Sequence, residues 1–238
     1  MVWVLHRLCH MSQNYLGRRS FMHVGGVVGA GLFVPPAVEA VEQEDDVAPP
    51  EDLMREHGVL KRVLLVYEEA IRRIDAKQDC PPDAVKNGAQ VIRTFIEDYH
   101  EKLEEDYLFP RFEKAKRLAD LTKVLRDQHQ AGRRLTEQIT KLSTAQGLKD
   151  PSSANTLKDR MRQFVRMYAP HEAREDTVLF PALRSVISKN EFDALGEDFE
   201  KKEHQLFGEE GFEKMVERVA SIEKTLGIYD LAQFTPRV

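Results

Sequence analysis

An all-α fold follows from three features of the 238-residue sequence. Apolar residues recur at steps of three and four through four successive segments, the spacing that gives a helix one buried stripe. No stretch alternates with period two for long enough to make a strand. Short breaks carrying Pro, Gly and Asp separate the segments, so neighbouring helices run antiparallel. The expected architecture is an up-down four-helix bundle with additional C-terminal helices.

Residues 1–40 are read apart from the fold. They contain Gly17-Arg18-Arg19-Ser20-Phe21-Met22, a mild apolar run over 23–34 and small residues around Ala37-Val38-Glu39-Ala40. This resembles a twin-arginine export signal, which implies delivery to a bacterial periplasm and a mature chain beginning near Val41, with Met11 as an alternative start. The apolar run is too short to span a bilayer comfortably, so no membrane span is expected in the mature chain. Residues 41–50 read as an acidic, proline-ending linker, 51–189 as the bundle, and 190–238 as a helical extension packing on it. The formal net charge of −5 gives nucleic-acid binding no support. Cys9 falls in the leader and Cys80 in a loop, so no disulfide framework forms in the mature chain.

The first bundle helix shows Leu53, His57, Leu60, Leu64, Tyr67, Ile71 and Ile74 on one stripe, and Cys80-Pro81-Pro82-Asp83 breaks it from the second. There Val85, Ala89, Ile92, Ile96, His100, Leu103 and Tyr107 share a face. The third carries Leu118, Leu121, Leu125, His129, Gly132, Leu135, Ile139 and Leu142, and the fourth Leu157, Met161, Phe164, Tyr168, His171, Glu175, Val178 and Ala182. Two further helical stretches, 190–207 and 212–226, are placed outside the bundle.

The sharpest feature is an internal repeat. HEKLEEDYLFP over 100–110 and HEAREDTVLFP over 171–181 share His-Glu-x-x-Glu-x-x-x-Leu-Phe-Pro. In each copy the His and the second Glu are four apart, one turn apart on one helix face. Leu-Phe-Pro then adds apolar packing and a local bend. His57 and His129 stand alone in the other two helices, and His204 in the extension. One core histidine is an ordinary finding, usually satisfied by a carboxylate. Four on core stripes beside two glutamates are not, because unpaired buried imidazoles and carboxylates are both costly. Imidazole with carboxylate suits iron, manganese or zinc, and two carboxylates on separate helices, each able to bridge, favour a pair of ions.

The order His57, His100-x-x-x-Glu104, His129, His171-x-x-x-Glu175 resembles the hemerythrin HHE cation-binding family over roughly 51–189. The resemblance implies two iron ions in a non-haem centre, one near His57 and His100, the other near His129 and His171, with Glu104 and Glu175 between them. Two departures stand out. Respiratory carriers of the family have His-x-x-x-His in the third helix and an aspartate bridge in the fourth, whereas this chain has Arg133 and Glu175. His204 is the expected source of a fifth imidazole, although it lies about 140° from the Phe192, Leu195, Phe199 stripe on an ideal helix. Lys201, Lys202 and Glu203 are read as its solvated neighbours and Phe207 as an anchor. Glu101 and Glu172 are read as solvated or as supports of the ligands, and Tyr67, Tyr99 and Tyr168 as core residues with a ligand hydrogen bond as the functional option.

Two function classes follow. One is a binding protein for dioxygen, nitric oxide or peroxide, or a sensor or store of iron. The other is an enzyme reducing peroxide or nitric oxide. His204 discriminates: bound, it favours a carrier or sensor, and free, it leaves both ions open and favours turnover. A closed four-ligand zinc site would leave the remaining His and Glu unexplained.

Overall fold

A computed structural model describes residues 47–236; the export signal expected over 1–40 and most of the linker lie outside the described residues. Helices and no strands are found among the described residues. Helix α1, Pro49–Asp75, starts inside the expected linker with Pro49 in its first position, where a missing N–H costs nothing. Glu51 and Asp52 in its first turn and Arg72 and Arg73 in its last suit the helix dipole. Helix α2 runs continuously over 82–114, α3 spans Ala119–Leu142, the short α4 spans Ala145–Lys149, and α5 runs over 151–185. α1, α2, α3 and α5 form the bundle, with α1 packed on α2 and α5, and α3 packed on α2 and α5. Leu53, Leu60, Val63, Phe95, Ile96, Leu125, Ile139, Leu157, Met161 and Phe164 are sealed in its core.

The repeated motif makes the same backbone twice. Glu104–Leu108 in α2 and Glu175–Leu179 in α5 are both five-residue π-helical turns, each followed by Phe-Pro. Pro110 and Pro181 lack the N–H that would bond the carbonyl four residues earlier, and their rings crowd it, so the helix widens just ahead of them. The bend read from Leu-Phe-Pro is therefore a change of helical register, a form common where helices carry function.

Helices α6, Lys189–Phe207, and α7, Gly211–Thr225, pack with α6 against α1 and α7, and α7 against α1 and α2. Ser188 and Glu191 form a capping box that starts α6. Arg62 of α1 grips Glu223 of α7 through two bonds of 2.9 and 2.5 Å. No described helix is long and apolar enough to cross a membrane.

Gly132 marks the tightest approach between α3 and α5, because a Cβ there would stand 2.0 Å from the Tyr168 hydroxyl and 2.8 Å from its ring carbon. Helix propensity favours Gly132→Ala by about 1 kcal/mol. Overpacking costs about 1–3 kcal/mol and wins, because the obstacle is a ring with no exposed space to enter. Gly132→Ala is expected to lower the urea midpoint; an equal or higher midpoint would show that the α3–α5 contact yields freely.

Candidate metal centre

Six side chains meet where the four bundle helices face one another: His57 of α1, His100 and Glu104 of α2, His129 of α3, and His171 and Glu175 of α5. All are between 0 and 4 % exposed. They form two trios, His57/His100/Glu104 and His129/His171/Glu175, each able to offer ligand atoms within 4.8 Å of one another. The carboxylates stand between the trios. Glu104 Oε2 lies 3.7 Å from His100 Nε2 and 3.4 Å from His129 Nε2, while Glu175 Oε2 lies 3.1 Å from His171 Nε2 and 3.5 Å from His57 Nε2. Neither carboxylate has a well-formed hydrogen bond from any described residue, nor has His129 Nε2. Buried oxygens and nitrogens turned on one another without donors are what a cation would satisfy.

Each histidine points Nε2 inward because its other nitrogen is tied. Nδ1 of His57 meets Asp176 at 2.7 Å, of His100 meets Glu56 at 2.6 Å, of His129 meets Glu105 at 3.1 Å, and of His171 meets Gln128 at 2.8 Å. Outer partners of this kind fix ring orientation and leave the Nε2 lone pair for a metal. Two phenylalanines complete the hold. Phe180 stacks on His57 at 5.5 Å and Phe109 on His129 at 5.6 Å between ring centroids. The phenylalanine of each Leu-Phe-Pro therefore packs on the lone histidine of another helix, a partner the motif did not disclose.

Electrostatics separate the groups. Burial alone would lower His57, but the hydrogen bond to Asp176 and the nearby carboxylate of Glu175 hold it up at about 9. Burial and the neighbouring His57 keep His100 well below the usual imidazole range. The two imidazoles touch, Nε2 to Nε2, at 3.0 Å, which fits a charged His57 donating to a neutral His100. Burial and the charge of Glu175 push Glu104 far up, whereas the imidazoles of His171 and His57 hold Glu175 down against its burial. The two halves are unequal. The His57/His100 pair faces the carboxylates of Asp176 and Glu56, while the other pair faces a neutral amide and Glu105, whose charge Arg133 and Lys102 share at 2.8 and 2.5 Å.

Three expectations are corrected. His204 is exposed on α6, beside Glu197, Glu200, Lys201 and Gln205, and does not join the six. The residue that turns inward is Glu203, read from sequence as solvated; successive helix residues are about 100° apart, so the two cannot share a face. Of the two readings given for Glu101 and Glu172, the solvated one is excluded, since both are buried. Glu101 accepts the Tyr168 hydroxyl at 2.6 Å and pairs with Arg133 at 2.7 Å, and Glu172 pairs with Lys61. Arg133, four after His129, thus clamps Glu101 and Glu105. Glu56, Glu105, Gln128 and Asp176 escaped sequence reasoning, though each is adjacent in sequence to one of the six.

The hemerythrin HHE cation binding domain matches this chain over residues 48–147 and again over 134–236. An uncharacterised protein of Mycobacterium bovis and uncharacterised proteins of two Mycobacterium tuberculosis strains are each 56% identical over 195 residues, covering 82% of this chain and 76% of theirs. No solved structure matches.

Asp176 is partly exposed, so its removal leaves little buried volume empty while freeing the His57 ring. Asp176→Ala is expected to weaken anaerobic Fe(II) binding about 10–100-fold while the helical circular dichroism is retained. Unchanged affinity in equilibrium dialysis would mean that the Nδ1 contact does not orient the ring.

Proposed function

The chain belongs to the hemerythrin HHE cation-binding family, and from that premise we propose that its centre holds two iron ions and reacts with peroxide or nitric oxide as a redox enzyme rather than as a reversible carrier. One observation carries the reading. With His204 exposed, each half of the centre draws on only two imidazoles and the shared carboxylates, so both metal positions keep room for an exogenous ligand. A carrier gains from having one ion saturated by protein. Iron is favoured over manganese or zinc by the family and by the paired, carboxylate-linked trios.

Bound there, iron would supply one-electron redox chemistry and open positions for a small ligand. The protein's own groups set the conditions. Burial of all six side chains keeps bulk water from the centre, which supports a ligand of few atoms such as dioxygen, nitric oxide or peroxide. The Nδ1 anchors hold the rings against rotation. Burial pushes Glu101 up to about 8 despite Tyr168 and Arg133, which supports it as a group that takes up and passes on protons beside Glu105 and His129, where reduction of one peroxide would consume two. Electrons would come from a separate reductant. Export to the periplasm, with the mature chain starting near Val41, belongs to the same proposal and rests on the paired arginines.

About two iron atoms per chain are expected after anaerobic purification, with peroxide or nitric oxide consumed in many turnovers. Glu104→Ala is expected to lose metal and turnover together, because that carboxylate lies between both trios. His204→Ala is expected to keep iron content and rate. Stoichiometric zinc without iron, or one reversible ligand uptake per centre without turnover, would sink the proposal. N-terminal sequencing of secreted material tests the export signal, and finding Met1 or Met11 intact in a cytoplasmic pool would count against it.

A further inference from the structure

We propose that Tyr168 is an electron donor to the centre, giving its electron through His171 and its phenolic proton to Glu101 when peroxide meets a centre that is one electron short. The inference rests on the redox reading of the same centre. Peroxide becomes two waters by taking up two electrons and two protons as its O–O bond breaks. With a single ion reduced, the centre supplies one electron. Tyr168 supplies the other: its O–H bond breaks, the proton passes to Glu101 Oε1, and a neutral phenoxyl radical remains until the outside reductant returns an electron. The two protons that complete the waters come from solvent.

The geometry of Tyr168 goes beyond a structural hydrogen bond. Its ring packs on a ligand imidazole, with the centroids of Tyr168 and His171 5.3 Å apart and the rings tilted by 59°. An electron therefore crosses a single ring contact to a group whose Nε2 faces Glu175 and the metal position. The hydroxyl already points at a proton acceptor, donating to Glu101 Oε1 at 2.6 Å, while Arg133 pairs with Oε2 at 2.7 Å. A phenol gives up an electron far more readily when its proton has somewhere to go. In an interior where Tyr168 and Glu101 are each only 1 % exposed, water cannot take that proton, so the acceptor has to be built in. The ring is also held in place. Phe164 packs on it at 4.4 Å, and the hydroxyl stands over Gly132, where a Cβ would come within 2.0 Å. The other sealed tyrosines lack this combination. Tyr67 packs on Phe164, one ring further from the centre, and Tyr99 packs on Phe95 and Phe207 beside Glu56, whose Oε2 is engaged by His100 Nδ1.

The test uses the full iron-loaded chain, set chemically to one electron per centre, mixed with one equivalent of hydrogen peroxide and frozen at once. Electron paramagnetic resonance is expected to show an organic radical whose signal narrows when the chain is grown on ring-deuterated tyrosine. A fully reduced sample, which holds both electrons, is expected to show none. Tyr168→Phe is expected to lose the signal while keeping iron content and helical circular dichroism. Glu101→Gln keeps an oxygen for the hydroxyl but takes up no proton there, and is expected to lower the radical yield about 10-fold or more. A parent chain that consumes peroxide without a tyrosyl signal, a Tyr168→Phe chain with the parent's signal, or a Glu101→Gln chain with the parent's yield overturns the proposal. Residual peroxide is measured in the same samples: consumption without a radical sinks this inference alone, whereas no consumption sinks the redox reading and this inference with it.

Discussion

Everything in this bundle answers to one electrostatic constraint: four imidazoles and two carboxylates have been taken out of water and turned on one another. Leaving such groups uncompensated costs several kcal/mol each in a poorly polarisable interior. The protein offsets the penalty from outside, with an acceptor on every Nδ1, an aromatic ring on two of the imidazoles and Arg133 spanning Glu101 and Glu105. Among the groups these contacts leave unsatisfied are both oxygens of Glu104 and Glu175 and the inward nitrogen of His129. The cation-binding character of the family thus appears as a local shortage of positive charge.

The halves of the chain solve that problem in the same way. In each copy of the repeat, the histidine and the glutamate four residues on serve the centre, the next acid holds the lone histidine of another helix, and the phenylalanine of Leu-Phe-Pro stacks on that same ring. The lone-histidine helices return the favour through the residue just before each histidine, Glu56 for His100 and Gln128 for His171. This is the pattern of a two-fold relation between α1–α2 and α3–α5. It is broken by chemistry rather than by backbone, since an amide replaces one acid and Arg133 and Lys102 neutralise another. Two ions held in such surroundings would differ in their preferred charge.

The C-terminal helices add asymmetry of another kind, for they pack chiefly on α1 and α2. Aromatic contacts of Phe199 with Tyr107 and of Phe207 with Phe95 and Tyr99 set the rotation of α6. That rotation turns Glu203 toward Asp52 and Glu56 and leaves His204 in solvent. A helix cannot present adjacent residues to one surface, so the choice between acid and imidazole was made by where the phenylalanines found a core.

The sequence by itself determined the all-α class and the core stripes on which His57, His100, Glu104, His129, His171 and Glu175 lie. These are local properties: apolar stripes of period 3.6 and pairs four apart show which face of a helix is buried without reference to any neighbour. The tertiary structure decided the rest. Asp176 holds a ring 119 positions away and Glu105 one 24 away, so no local spacing reveals either contact. Their only trace in the sequence is adjacency to a ligand, because a residue about 100° round the helix from one facing the centre faces the next helix instead. His204 had the right chemistry on a helix whose rotation its own stripe already argued against, and packing against α1 and α2 settled that rotation.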